Sequence, residues 1–270
     1  MFESKHGVLM IAGLFSFALA FVASGLVPWI MYADRPELTA EDMVHPRVIK
    51  NENMLIMAHD LARRYRGQFN RHIGILGSSI PRGSEASTEL DAEVKIIADA
   101  LRVARKVYIG EGCWHCHSQF VRGVSNEVER WGPVSNSWEY GNELQRPVMF
   151  GTRRVGPDLI REGGRRSNDW HAAHFYDPRS TSPESVMPTY PWFFDTPADF
   201  FASNPPEPTM DWERAYFEQL RGLDQHQPTP LLPNKRGLAM ILYMQWLGSW
   251  HDDYFTLYKK PEQATSESLP

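Results

Sequence analysis

The chain opens with a long run of apolar side chains. Residues 7–33 carry no charged group, and Leu, Ile, Val, Phe and Ala dominate them. A helix needs about 20 apolar residues to cross a bilayer core, and the aromatic Trp29 and Tyr32 suit the headgroup layer. The pattern predicts an uncleaved transmembrane anchor over residues 1–33. A cleaved signal peptide is the alternative, but its apolar region is usually shorter and its start more basic than the single Lys5.

Hydrophobic positions after the anchor recur at helical spacing. Residues 54–72, 89–109 and 236–250 show this period, so each stretch is predicted to form an amphipathic helix. Residues 118–168 have few periodic runs, and the 20 prolines and nine tryptophans of the chain indicate long, ordered loops. We therefore expect a mostly α-helical protein.

Composition narrows the classes of function. The hydrophobic fraction of 42% and the charged fraction of 23% are those of a soluble domain rather than of a protein with many membrane spans. The formal net charge of −5 argues against a nucleic-acid partner, because nucleic acids attract basic surfaces. Cys113 and Cys116 are the only cysteines in the sequence, so no framework of disulfides holds the fold.

These two cysteines belong to the motif Cys113-Trp114-His115-Cys116-His117, or C-x-x-C-H, which is the attachment signal for c-type haem. Thiols one helical turn apart can reach the two vinyl groups of a porphyrin, and His117 can then bind the iron. A thioredoxin-like pair would sit in a βαβ pattern, whereas this motif follows a predicted helix. A zinc site would need two further ligands at regular spacing, and none is obvious. The motif therefore predicts one covalently bound haem c, attached outside the cytoplasm.

The iron of such a haem needs a sixth ligand, and a Met thioether would suit high-potential electron transfer. Met187 lies in a loop stiffened by Pro183 and Pro188, as a ligand held over a haem face requires, and we favour it. His171 and His174, spaced i,i+3, offer a bis-His alternative. The other methionines that remain candidates are Met149, Met210, Met240 and Met244.

Further positions are candidates for contacts around the haem. A ligand His usually has its second ring nitrogen held by a hydrogen-bond acceptor such as a carbonyl, and Pro157 in a Gly-Pro-Asp-Leu stretch offers one. Arg154 is a candidate partner for a haem propionate, because the Arg fork suits carboxylates. Tyr190 and Trp192 are placed to close the edge of the pocket. Arginines that could share the propionate role are Arg153, Arg165 and Arg166.

Several stretches in addition to C-x-x-C-H carry a family resemblance. They are His117-Ser118-Gln119, Asn126 to Arg130, Gly156 to Leu159, Gly163 to Arg165, Trp170-His171, Asp177 to Arg179, Pro183 to Ser185 and Met187 to Trp192. Together they resemble the mono-haem cytochrome subunit (subunit II, FixO/CcoO-like) of cbb3-type haem–copper cytochrome c oxidases, closely over residues 105–195 and loosely over the anchor. The resemblance implies that His117 and Met187 are the axial ligands and that Pro157 lies on the His side of the haem.

The resemblance also implies a role and partners. In that family the haem domain docks on a multi-span catalytic subunit and passes on electrons that come from a di-haem cytochrome c subunit or a soluble cytochrome. We therefore expect a single-pass protein of the bacterial inner membrane, with its haem domain on the periplasmic side. It would relay electrons in aerobic respiration without performing oxygen chemistry itself. A subunit of a nitric-oxide reductase and a free-standing, membrane-tethered carrier are the alternatives.

The expected organisation has four parts. Residues 1–33 form the anchor, 34–100 a linker with a helical insertion, and 101–252 a class I-like cytochrome c domain with long loops. Residues 253–270 form a C-terminal tail. Within the second part, the polar residues 34–53 are expected to be a tether. The link between anchor and haem domain is shorter in the family, so the resemblance leaves this insertion without a role.

Overall fold

The structure is a computed structural model, and it describes residues 3–33, 37–49, 53–77, 87–196 and 231–251, together with Arg214 and Glu218. The chain divides into two compact units, Met1–Glu37 and Leu38–Pro270. Within the described ranges the secondary structure is helical and includes no strand. Two isolated β-bridges pair Leu38 with Asn142 and Phe194 with Pro233. The expectation of a mostly α-helical fold is confirmed.

The first unit is one apolar helix. It comprises α1 (Glu3–Phe21), a π-helical turn (Val22–Leu26) and α2 (Val27–Ala33), and the stretch His6–Met31 is long and apolar enough to cross a membrane. Pro28 has no N–H to offer the preceding turn, and a local π-helical adjustment of this kind is a common response. The Ser24 hydroxyl donates to the Ala20 carbonyl at 2.6 Å, so this polar group has a partner within the helix, as lipid requires.

The second unit contains the remaining helices and short 3₁₀ turns. The first three helices are α3 (Pro46–Ile49), α4 (Asn53–Arg64) and α5 (Arg66–His72). The helices α6 (Ser87–Gly110), α7 (Cys113–Cys116) and α8 (Glu127–Trp131) follow. The last are α9 (Asn168–Tyr176), α10 (Pro178–Thr181) and α11 (Lys235–Trp246), and the 3₁₀ turns are Ser137–Tyr140, Glu143–Gln145 and Pro191–Phe193. The predicted tail 253–270 and Met210 lie outside the described residues.

The core of the second unit is built on the contact between α6 and α11. This is the most extensive helix–helix contact in the described parts of the chain. All residues of α11 from Gly237 to Trp246 are buried. Gly237 is required there, because a Cβ at this position would lie 2.4 Å from the Phe193 carbonyl oxygen. Tyr108 of α6 meets Tyr243 of α11 with ring centroids 5.5 Å apart.

The segment before α6 is part of the same core. Helices α4 and α5 pack on α11, and the predicted helix over 54–72 is present with a break at Tyr65, where φ is −119° and ψ is 42°. Residues 38–45 differ from the expected tether, because Ala40, Met43 and Val44 are fully buried. The indole N–H of Trp246 donates to the Met43 carbonyl at 3.4 Å. Apolar side chains interspersed among polar ones in this short stretch account for the difference.

Candidate functional site

The C-x-x-C-H motif lies at the end of the helix that forms the centre of the core. Helix α6 ends at Gly110, and Gly112 has a left-handed backbone conformation with φ +70° that turns the chain into α7. One turn of helix then holds both cysteines, which are free thiols; Cys113 is half-buried and Cys116 is exposed. His117 follows in an extended conformation (φ −115°, ψ 132°). The motif is therefore presented at the end of a rigid helix.

The His117 imidazole is oriented by the Gly-Pro-Asp-Leu stretch, as expected. Its Nδ1–H donates to the Pro157 carbonyl at 2.8 Å, which leaves Nε2 as the nitrogen available to a metal. The ring lies directly on Gly156, where a Cβ would come within 2.3 Å of His117 Cε1. Burial lowers the pKa of His117, while the hydrogen bond to Pro157 acts in the opposite direction. A neutral imidazole with a free lone pair is thus the favoured form, and metal ligation requires that form.

Asp158 fixes this loop to the residues that follow the motif. Its buried carboxylate accepts hydrogen bonds from the Ser118 hydroxyl at 2.5 Å, the Phe120 N–H at 2.9 Å and the Ile160 N–H at 2.9 Å. The Leu159 N–H donates to the Ser118 carbonyl at 2.9 Å. Charge-assisted bonds of this kind are the strong ones. The chain that follows His117 is therefore held against the Gly-Pro-Asp-Leu stretch.

Arg154, a candidate for a propionate, is engaged with protein groups in this structure. Its guanidinium pairs with Glu127 at 2.5 Å and lies 3.5 Å from Asp158, and it also donates to the Ser118 hydroxyl and the Phe120 carbonyl. A propionate would have to share or replace these partners, so the role predicted for Arg154 stays a prediction. Of the other arginines, Arg165 donates to the Trp131 carbonyl at 3.0 Å and Arg166 pairs with Glu162 at 2.7 Å.

Tyr190 lies beside the first cysteine of the motif. Its side chain interacts with the Cys113 thiol, and burial raises the pKa of that thiol to about 12. The Tyr190 N–H donates to the Phe175 carbonyl at 2.9 Å, and its ring stacks on Phe193 with centroids 5.1 Å apart. The loop that ends in Tyr190 is therefore attached to α9 and brought to the motif. Trp192 is 48% exposed at the same edge.

Met187 is the candidate ligand that lies in this same loop. It is partly buried against the core, and its N–H donates to the Ser185 hydroxyl at 3.2 Å. The methionines Met149, Met240 and Met244 are instead buried in the core, with exposures of 7%, 1% and 4%. Met187 thus differs from the other described candidates, since its side chain is only partly buried and it lies three residues before Tyr190.

The two histidines of the bis-His alternative lie on α9. His171 is buried and its Nε2 has no partner among the described residues, and burial lowers its pKa to about 3. His174 is close enough to His117 for a charge interaction; burial, and then the His117 charge, lower its pKa to about 4. Its Nδ1 pairs with the Thr181 hydroxyl at 2.6 Å, and its ring stacks on Trp170. His174 is therefore a neighbour of the site that is already occupied by contacts within α9 and α10.

Sequence reasoning missed a buried polar group behind the motif. Arg105 of α6 is 6% exposed and donates to the Tyr243 hydroxyl at 3.1 Å and to the Pro147 carbonyl. Gln119 joins it, since its amide contacts both the Tyr243 hydroxyl and Arg105. Tyr108 completes what we call the Arg105 network (Arg105, Tyr108, Gln119 and Tyr243). The only sequence signal was an Arg on the apolar face of a helix, which is not specific.

The residues around the motif fit a covalently bound haem. Two free thiols are one helical turn apart, and an imidazole beside them is oriented through one nitrogen while the other is free. The zinc alternative gains no support, since the described side chains contain no group of three or more His, Cys, Asp or Glu placed to hold a metal ion. A helical core that presents one such motif defines the class of mono-haem cytochrome domains.

Comparison with known families agrees with this class. The family described as "Cytochrome C oxidase, mono-heme subunit/FixO" matches residues 84–219. The chain belongs to this family, and it is therefore a subunit of a cytochrome oxidase complex with a catalytic oxidase subunit as its partner and one haem as its cofactor. The single apolar helix fits a single-pass membrane protein. A comparison with curated proteins finds no match.

Proposed function

We propose that this chain is the membrane-anchored electron-relay subunit of a cbb3-type terminal oxidase. In this proposal it holds one haem c, accepts electrons from a di-haem cytochrome c subunit or a soluble cytochrome, and passes them to the multi-span catalytic subunit. The observation that carries the proposal is the arrangement around His117, where the Pro157 carbonyl and Gly156 orient the imidazole next to two free thiols. The family match to a mono-haem oxidase subunit supports it.

The residues that hold the haem are proposed as follows. The thiols of Cys113 and Cys116 would hold the haem covalently, and His117 Nε2 and the Met187 thioether would bind its iron. The bound group supplies reversible one-electron chemistry at iron, and a Met ligand favours the reduced state. Pro157 sets the tautomer of His117, because its carbonyl accepts the Nδ1–H. Tyr190 attaches the Met187 loop to α9, because its N–H donates to the Phe175 carbonyl at 2.9 Å.

The anchor determines where this chemistry takes place. Haem of this type is attached outside the cytoplasm, so the proposed orientation places residues 38–251 on the periplasmic side of the bacterial inner membrane. Tethering by the first unit would keep the haem domain beside its membrane-embedded partner, which raises the effective concentration of the two sites for each other. The chain is then an electron carrier, and the reduction of oxygen belongs to the catalytic subunit.

The test is to isolate the native complex in mild detergent and record its pyridine haemochrome spectrum, subunit content and oxygen turnover. The proposal expects haem c together with haem b and a multi-span subunit. Haem c without a stable partner would contradict the oxidase assignment, and turnover of nitric oxide in place of oxygen would contradict the cbb3 assignment.

A pair of variants tests the axial ligand. Met187→Leu should abolish the near-infrared charge-transfer band of a Met–iron bond, because leucine has no sulfur to donate. Met149→Leu removes a buried methionine of the core and should leave the band in place. Persistence of the band in the Met187 variant would refute the assignment.

A further inference from the structure

Arg105 is a buried cation that has no anionic partner among the described residues. It is 6% exposed, and its hydrogen bonds go to the amide of Gln119, the hydroxyl of Tyr243 and the carbonyl of Pro147, all of which are neutral groups. Its Nε has no partner, and no carboxylate in the described ranges forms an ion pair with it. Burying an uncompensated charge is costly, and so its presence in the core calls for an explanation.

Another buried arginine shows the usual solution. Arg161 is 8% exposed, and its guanidinium forms a two-pronged ion pair with the fully buried Glu139, with contacts of 2.5 Å and 2.8 Å. The two charges cancel there. At Arg105 the described residues supply only dipoles, and none of their carboxylates cancels its positive charge.

The Arg105 network places this charge behind the proposed axial ligand. The Tyr243 hydroxyl exchanges hydrogen bonds with the Gln119 amide at 3.2 Å, and Gln119 lies two residues after His117. The Tyr108 hydroxyl donates to the His117 carbonyl at 3.4 Å and also interacts with Gln119. Every member of the network is at least nine-tenths buried. The charge and the backbone of His117 therefore share one dry, connected set of polar groups.

The Gln119 backbone is held as firmly as its side chain. Its N–H donates to the Met149 carbonyl at 2.7 Å, and its carbonyl accepts from the Tyr140 hydroxyl at 2.8 Å. Arg105 lies five residues before Gly110, where α6 ends, and Gly112 then turns the chain into the helical turn that holds Cys113 and Cys116. A buried unit charge has a substantial effect on nearby groups, because the effective dielectric constant of a protein interior is far below that of water.

We infer that Arg105 is a positioning residue that raises the reduction potential of the haem. An oxidised haem carries one positive charge more than a reduced haem, so a nearby buried cation destabilises the oxidised form. The inference rests on the proposed function, since it takes His117 to be the haem ligand. Within the oxidase the effect would keep this haem a good acceptor for electrons from its donor, while the network holds the 117–119 backbone in register.

The test is an equilibrium redox titration of the haem c in the purified oxidase complex with full-length variants. Arg105→Gln removes the charge and should lower the midpoint potential, so that the ratio of reduced to oxidised haem at a fixed ambient potential falls roughly tenfold. Arg105→Lys retains the charge and should retain most of the potential. Arg63→Met removes one positive charge from a side chain that is 79% exposed and should leave the potential unchanged, because solvent screens it.

A second variant guards against a failure of Arg105→Gln to fold. Gln119→Glu is nearly isosteric and places a carboxylate where the Gln119 Oε1 lies 3.5 Å from the guanidinium, so it should cancel the field of Arg105 and lower the potential as well. An unchanged potential in either Arg105→Gln or Gln119→Glu would overturn the inference, as would equal shifts in Arg105→Gln and Arg105→Lys. Failure of the proposed function is distinguished from this outcome, because the pyridine haemochrome spectrum would then lack haem c or the purified preparation would lack the multi-span oxidase subunit.

Discussion

Two regions of the second unit are held in place by different means. The motif loop, defined as residues 117–120 with 156–158, is fixed by backbone groups and one buried carboxylate over distances of 2.5–2.9 Å. The N-terminal segment, defined as residues 38–72, is attached by pairs of side chains that are far apart in sequence. Its polar contacts include His45 with Asp91, His59 with Glu93 and His72 with Asp195.

The two modes of attachment suit different tasks. A metal ligand must be held in one orientation. His117 is held in this way, because its ring packs against Gly156 and its Nδ1–H donates to the Pro157 carbonyl. The N-terminal segment only has to stay packed on the core. In each of its three His–carboxylate pairs, the carboxylate lies within residues 84–219, the range that the family matches. The comparison therefore predicts steep effects of small changes in the motif loop and graded effects in the segment.

The largest effect is expected from Gly156→Ala. A Cβ at this position would lie 2.3 Å from His117 Cε1 and 2.8 Å from both ring nitrogens, and overpacking a filled site costs about 1–3 kcal/mol or more. The imidazole must move, so we expect the hydrogen bond to Pro157 to be lost and the yield of haem-loaded protein to fall sharply. The measurement is covalent haem per polypeptide from the pyridine haemochrome spectrum.

Gly123→Ala is the matched control for this variant. A Cβ there meets Val134 at an ordinary 3.6 Å, so haem content should stay at the wild-type level. Wild-type haem content in Gly156→Ala, or an equal loss in both variants, would contradict the conclusion that the motif loop cannot accommodate a larger side chain at position 156.

The same contrast explains what the sequence could and could not predict. Contiguous signals identified the apolar N-terminal helix, the C-x-x-C-H motif and the helices over 54–72, 89–109 and 236–250, because helical period and motif spacing are local properties. The contact between His117 and Pro157 could also be predicted, since a ligand His needs an acceptor for its second ring nitrogen and the Gly-Pro-Asp-Leu stretch offers a carbonyl. The family resemblance, which the family match confirms, followed from those local stretches.

The residues that sequence reasoning missed depend on contacts between distant parts of the chain. Arg105 and Tyr243 are 138 residues apart, and nothing near Arg105 in sequence marks it as buried. Residues 38–45 were interpreted as a tether because they are polar on average, whereas Met43 and Val44 are fully buried. Only the folded chain shows which few apolar side chains in a polar stretch reach the core.

A smaller effect is expected when the attachment of the N-terminal segment is weakened. Glu93 is 2% exposed and accepts from His59 Nε2 at 2.9 Å and from the Gly77 N–H at 2.6 Å. Glu93→Gln should therefore lower the free energy of unfolding by about 1–3 kcal/mol, since it disrupts a buried, charge-assisted acceptor. Urea unfolding of the full-length protein in detergent, followed by tryptophan fluorescence, gives the value.

The pair of His45 with Asp91 provides a control of the same chemistry at the surface. The Asp91 side chain is 61% exposed, so Asp91→Asn should cost no more than about 1 kcal/mol. Equal losses of stability in the two variants would show that burial does not decide how strongly these pairs hold the N-terminal segment.

The last effect concerns pH and a residue that belongs to neither region. Burial lowers the pKa of His171 on α9 to about 3, below its unfolded value of about 6.5. The unfolded chain therefore binds the proton first, so the stability contributed by this group is complete above about pH 6.5 and is lost as pH falls toward 3. At pH 5 the loss relative to pH 7.5 is about 2 kcal/mol.

His171→Leu removes the titrating group, and the difference between its unfolding free energies at pH 7.5 and pH 5 should be smaller than that of wild type by this amount. If His171→Leu and wild type lose equal stability between these two pH values, the buried imidazole is not a source of acid sensitivity, and the carboxylates of the motif loop and of the N-terminal segment become the groups to test next.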